Sequence, residues 1–130
     1  MRILVVDDNE YLRRGVVSLL QSQAGWEVCG EARNGDEALQ QAREWPPDLI
    51  LLDISMPGMD GLEVARLLRR PTASAKIVIM SQHDPDRLRS RAFEAGAADC
   101  LDKSLLGTQL IPHIKKLMEV PQPQGARPQD

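Results

Sequence analysis

The chain is poor in cysteine, in aromatic residues and in excess positive charge. Only Cys29 and Cys100 are present, far apart and without metal-ligand spacing, so neither a disulfide framework nor a cysteine metal site is expected, and both read as free thiols of a reducing cytosol. Aromatics make up 3% of the residues, and Trp26 and Trp45 each stand just before an apolar run, where they read as packing residues rather than ligand stackers. A formal net charge of −3 gives no electrostatic footprint for nucleic acid. No apolar stretch approaches the length of a membrane span, and Met1-Arg2 leads straight into a strand pattern, so neither a membrane segment nor a signal peptide is expected. What remains is ordinary for a soluble protein. The 130 residues are 42% hydrophobic and 27% charged, enough for one domain with one core.

Strand and helix patterns alternate five times without internal repeat. Strands are expected at residues 2–7, 27–32, 49–53, 76–81 and 99–101. Between them, residues 11–21 carry Leu12, Val16, Leu19 and Leu20 on one helical face. Residues 36–44 follow the turn Asn34-Gly35 and stop before Pro46-Pro47, and residues 62–70 lie between Gly61 and Pro71. Asp84-Pro85 reads as a cap followed by proline at the first helical position, with Gly96 closing that helix. A last stripe, Leu106, Leu110, Ile114 and Leu117, is interrupted by Pro112, which costs a helix interior about 3 kcal/mol. That helix therefore either starts near Ile111 or is kinked at Pro112. Alternating elements imply a doubly wound α/β fold, a parallel sheet covered by helices on both faces. The first, third and fourth strands are almost wholly apolar, as covered strands are, whereas the short, polar-rich fifth suits an edge. Residues 1–120 form the expected domain. From Pro121 the composition turns to proline and glutamine, so 121–130 read as a linker or tail.

The chemistry lies where the strands end. Asp53 closes the run Leu49-Ile50-Leu51-Leu52 and precedes the turn formers Met56-Pro57-Gly58-Met59-Asp60-Gly61, while Asp7 and Asp8 close Ile3-Leu4-Val5-Val6. Right-handed crossovers send these ends to one rim, where open α/β sheets keep their sites. Three carboxylates crowded there repel unless a cation shares the site, which points to a metal ion. Ser81 after the fourth strand and Lys103 after the fifth complete five polar residues at strand ends. Singly each has a plainer reading: Asp8, Asn9 or Asp7 as a helix cap, Ser81 as a turn residue, Lys103 as a solvated lysine. Together they suit phosphoryl chemistry. Magnesium favours a few carboxylates, retained waters and phosphate oxygens; a carboxylate can be the nucleophile and form an aspartyl phosphate; a lysine offers a point charge to a phosphate oxygen.

Over residues 2–119 the chain resembles the receiver domain of two-component response regulators, the CheY-like fold. The pieces that carry the resemblance are Ile3-Leu4-Val5-Val6-Asp7-Asp8-Asn9, the stretch Leu51-Leu52-Asp53 through Met56-Pro57-Gly58-Met59-Asp60-Gly61, Ile77-Val78-Ile79-Met80-Ser81, and Gly96-Ala97-Ala98-Asp99-Cys100-Leu101-Asp102-Lys103. Val28-Cys29-Gly30-Glu31-Ala32 and Ser81-Gln82-His83-Asp84 look like the subfamily whose receivers precede a LuxR-type (NarL-type) helix-turn-helix output domain. The resemblance implies a five-stranded (βα)5 flavodoxin-like sheet of order 2-1-3-4-5. It implies Asp53 as phosphoacceptor, Asp8 as a direct Mg2+ ligand, Asp7 acting through a bound water, the Ser55 carbonyl as a further metal ligand, Lys103 on a phosphoryl oxygen and Ser81 as the hydroxyl that reports the phosphate. The implied partners are a sensor histidine kinase and, on phosphorylation, a second copy. DNA would be met only through an output domain missing here, in the cytoplasm and without contact to a membrane. Such a chain is a phosphoacceptor that assists its own phosphorylation and dephosphorylation rather than an enzyme. Two departures stand out. Cys100 occupies the position of a switching aromatic, whose swing a thiol cannot match in volume, and Ser104 follows the lysine where the family often has proline.

Other readings remain: a stand-alone receiver, an aspartyl-phosphate-forming phosphatase, or a flavin-binding module of the same fold class. Such phosphatases carry their nucleophile in Asp-x-Asp after the first strand, whereas this chain has Asp7-Asp8 and no obvious substrate cap. A flavin phosphate would be repelled by Asp7-Asp8-Asn9-Glu10.

Overall fold

The computed structural model describes residues 1–56, 58, 60–72, 74–82 and 85–119. Pro57, Met59, His83, Asp84 and residues 121–130, to which turn, family-motif, capping and linker roles were assigned above, lie outside the described residues. Five strands, β1 (Arg2–Val6), β2 (Glu27–Ala32), β3 (Leu49–Asp53), β4 (Lys76–Ser81) and β5 (Asp99–Asp102), alternate with α1 (Glu10–Gln21), α2 (Gly35–Glu44), α3 (Gly61–Leu68), α4 (Pro85–Glu94) and α5 (Leu106–Glu119). The strands form one parallel sheet of order β2-β1-β3-β4-β5. This is the expected doubly wound fold, with boundaries displaced by a residue or two.

Side-chain alternation along the central strands builds two cores, one on each face. Leu4, Val6, Ile50, Leu52, Ile77 and Ile79 pack with Ala38 and Ala42 of α2, with α3 and with Ala92 of α4. Ile3, Val5, Leu49, Leu51, Val78 and Met80 pack against Val16 and Leu20 of α1 and Leu106, Leu110 and Ile114 of α5. Every side chain of β3 is buried, because that strand has a neighbour on each side and helices above and below. Cys100 of β5 belongs to the first core and is 1% exposed.

Two expectations are corrected. Trp45 is 61% exposed and is not a packing residue, whereas Trp26 does pack against the second core. The last helix does not start late: a short 3-10 turn over Lys103–Leu105 runs directly into α5, and Pro112 lies within it on an exposed position. The hydrogen bond that Pro112 cannot donate is the one to the carbonyl of Thr108, and both residues are exposed, so water can replace it. The rival caps of α1 also resolve. Asn9 accepts from the Leu12 amide at 3.0 Å, which leaves Asp8 without a capping role. Gly96 closes α4 with φ +99°, in the left-handed region open to glycine.

Gly61 sets the return of the chain from β3 into α3. A Cβ there would stand 2.6 Å from the Ile54 Cα, a backbone contact that cannot rotate away. Gly61→Ala is expected to cost about 1–3 kcal/mol, as overpacking does, and to lower the midpoint of urea unfolding without changing its slope.

Candidate phosphoryl and metal site

All the strands end at the same rim, and the site is assembled from three of these ends. Asp7 and Asp8 follow β1, Asp53 is the last residue of β3, and Lys103 is the first residue after β5. Carboxylate oxygens of Asp7, Asp8 and Asp53 lie within 4.8 Å of one another. The Lys103 ammonium reaches in from the far side of β4 and stands 3.2 Å from Oδ2 of Asp7 and 3.2 Å from Oδ2 of Asp53. Asp7 and Asp53 are 0% and 1% exposed, while Asp8 faces solvent.

A repeated local device sets these carboxylates. Oδ1 of Asp7 accepts the Asn9 amide and Oδ1 of Asp53 accepts the Ser55 amide, each at 2.9 Å. Each side chain thus closes a turn onto the backbone two residues ahead and leaves its second oxygen facing the shared space. Asp102 does the same with the Ser104 amide at 2.9 Å, which shapes the turn carrying Lys103.

The cluster holds more negative charge than the lysine neutralises. Among the described residues, Asp7 Oδ2 is a buried side-chain oxygen that meets no hydrogen bond of good geometry; the Lys103 ammonium 3.2 Å away is its ion-pair partner. Burial pushes the Asp7 carboxyl above the ordinary carboxylate range, and the Asp53 charge adds to this, against the Asn9 amide and Lys103. An acid–acid–acid cluster with an orphaned buried oxygen suits a small hard cation with oxygen ligands, completed by water.

The remaining expected residues are adjacent. Ser81 is fully buried at the last position of β4, one residue beyond Met80, which pairs in register with Asp53. Ser55 is exposed in the loop after β3, with its amide held by Asp53. Cys100 pairs with Ile79 inside the sheet, and burial pushes its thiol up, away from the reactive thiolate. One residue was not anticipated. Arg13 of α1 is 7% exposed, donates from Nη1 to the Asp7 carbonyl at 2.8 Å and pairs through Nε with Glu31 at 2.9 Å. Its signal was spacing, since Arg13 falls on the same buried stripe as Val16 and Leu20.

Because the Asp7 carboxyl is raised, its charge opposes folding. The cost is full above its folded-state value, fades as pH falls through that value, and is gone below the ordinary carboxylate range. In metal-free buffer, Asp7→Asn is therefore expected to raise the melting temperature at neutral pH by about 3–6 °C, with the difference from the native protein closing as the buffer is acidified. An equal difference at every pH would count against a strained carboxylate.

Comparison with known proteins places the chain in a family. Residues 3–115 match the response regulator receiver domain family. The chain is 36% identical over 115 residues to the response regulator GacA of Pseudomonas viridiflava, covering 88% of this chain and 54% of that protein. It is 35% identical over 117 residues to the response regulator UvrY of Escherichia coli (strain K12), covering 90% and 54%. Among solved structures, a LuxR-family two-component response regulator from Aurantimonas sp. SI85-9A1 superposes with a TM-score of 0.84 at 33% identity, over 90% of this chain and 84% of that one. The response regulator domain of Thermotoga maritima CheB gives 0.81 at 28% identity, over 94% and 98%. The chain spans about half the length of the curated relatives it matches. It belongs to the response regulator receiver domain family and is a receiver domain of the two-component type.

Proposed function

We propose that this receiver takes a phosphoryl group from the phosphohistidine of a sensor kinase onto Asp53. The observation that carries the reading is the placement of Lys103, 3.2 Å from both Asp53 and Asp7 at the rim of three clustered carboxylates. A carboxylate oxygen of Asp53 forms the new P–O bond as the donor's P–N bond breaks, and the donor imidazole keeps the electron pair. Lys103, which bridges two carboxylates, can exchange one of them for a phosphoryl oxygen. The Ser81 hydroxyl supplies a hydrogen bond to the same group. Asp8 and Asp53, with Asp7 through water and the Ser55 carbonyl, are the ligands we assign to Mg2+, whose chemistry is to neutralise the phosphoryl oxygens. Water attack on the acyl phosphate reverses the state, so the domain assists its own dephosphorylation without being an enzyme for an external substrate.

Residues 1–120 act as the receiver unit and 121–130 as a linker or tail. The relatives' greater length and the LuxR-family neighbour support a following DNA-binding output domain, controlled by phosphorylation through a second copy or an altered surface. Among the described residues no helix is long and apolar enough to cross a membrane, and we assign the protein to the cytoplasm.

Acetyl phosphate with Mg2+ tests the chemistry. The native protein is expected to gain one labile phosphoryl group, whereas Asp53→Asn or added EDTA abolishes labelling; continuous turnover would indicate a phosphatase. Lys103→Ala is expected to leave Mg2+ affinity unchanged or tighter, since a competing cation is gone, while phosphorylation slows and amide shifts of β5 no longer respond. Labelling of Asp53→Asn at the native level would sink the assignment.

A further inference from the structure

Three contacts converge on the short connection Asp7-Asp8-Asn9 between β1 and α1. The Asp7 amide donates to the Ala32 carbonyl of β2 at 3.0 Å. The Asp7 carbonyl accepts from Nη1 of Arg13 at 2.8 Å. The same guanidinium, through Nε, holds Glu31 of β2 at 2.9 Å. The peptide between Asp7 and Asp8 is thus held through an arginine that is itself anchored to the neighbouring strand. Asp8 follows directly, is exposed and does not cap α1. An arginine only 7% exposed is costly unless its donors find acceptors, and here Nη1 and Nε find one backbone oxygen and one carboxylate.

We propose that Arg13 is a positioning residue for the cation site. By holding the Asp7 carbonyl it fixes the direction in which the chain leaves β1, so that the carboxylates of Asp7 and Asp8 converge with Asp53 before any cation arrives. Glu31 sets the guanidinium and acts one step further out. This inference rests on the reading of the cluster as a Mg2+ site, and it adds that metal affinity depends on a residue that touches neither metal nor phosphate.

The geometry separates Arg13 from a merely structural ion pair. A flat fork can serve the Asp7 carbonyl from Nη1 and Glu31 from Nε together, whereas a lysine ammonium is a single point charge without a planar pair of donors. Loss of the fork should loosen the site without removing any ligand, so added metal should restore it.

Mg2+ titration followed by amide shifts of residues 7–9, with acetyl phosphate labelling over a range of Mg2+, tests this on the full chain. The native protein is measured first; if it binds no Mg2+, the reading of the site fails and not the role of Arg13. Arg13→Met is expected to weaken Mg2+ by about tenfold, as loss of a group that orients a ligand does, with the labelling rate at saturating Mg2+ close to native. Arg13→Lys is expected to recover little of that affinity, and Glu31→Gln, which keeps a hydrogen-bond acceptor for Nε, to retain most of it. Should Arg13→Met fail to fold, Arg13→Lys alone decides, and must still weaken Mg2+. Native Mg2+ affinity in a folded Arg13→Met or, failing that, in Arg13→Lys would overturn the proposal, as would a labelling rate that stays low at saturating Mg2+.

Discussion

Two buried carboxylates share one ammonium at the rim of the sheet, and most of the functional architecture follows from that imbalance. Lys103 stands 3.2 Å from Asp7 and from Asp53, and it cannot neutralise both along with Asp8. Removing charges from water is costly, and the cost is met only in part by one cation and two backbone amides. The domain therefore carries a local electrostatic strain in its metal-free state. On the proposed reading, a divalent cation and then a phosphoryl group would change the charge that Lys103 must balance, and would give the lysine a further partner. A site of balanced charges would have no reason to rearrange.

The fold was legible because the strands announce themselves. Ile3 to Val6, Leu49 to Leu52 and Ile77 to Met80 are apolar on both faces, and only strands covered on both sides need that. The carboxylates at their ends could be brought together from topology alone, since parallel strands end at one rim. Contacts that depend on side-chain reach were less legible. Asp7, Asp8 and Asn9 were all plausible caps, and the choice of Asn9 rests on backbone angles that no spacing reveals. Arg13 looks like one of two adjacent surface arginines, yet Arg14 pairs with Glu10 in solvent while Arg13 turns inward. Trp45 looked like a packing residue from its place before a strand, but no core lies under it. Pro112 left open a late start or a kink, and the late start is excluded, since the 3-10 turn and α5 run through it on an exposed face.

Cys100 shows how far the β5 edge of the sheet differs from the acid site. It is buried in the first core, beside Ile79 in the sheet. The edge of the sheet is tied instead by polar contacts. Asp99 holds Arg89 of α4 at 2.8 Å and His113 of α5 at 3.1 Å, so the first residue of β5 links the helices on either side of it. The chemistry at the rim and the surface beside β5 are thus built from different materials, charge in one place and a polar tie around a small apolar core in the other.

The continuity of helix after Lys103 gives the molecule a mechanical property. The turn over Lys103–Leu105 and α5 form one uninterrupted rod, whose first residue touches the carboxylates and whose last, Glu119, lines a cleft beside Met1 at the opposite rim. Fourteen residues of α-helix span about 21 Å. A helix of that length, seated on the core through Leu110 and Ile114, spans the molecule from the carboxylate rim to the opposite one. One continuous element thus joins the lysine that faces Asp7 and Asp53 to the opposite rim, a through-going path from the acid site.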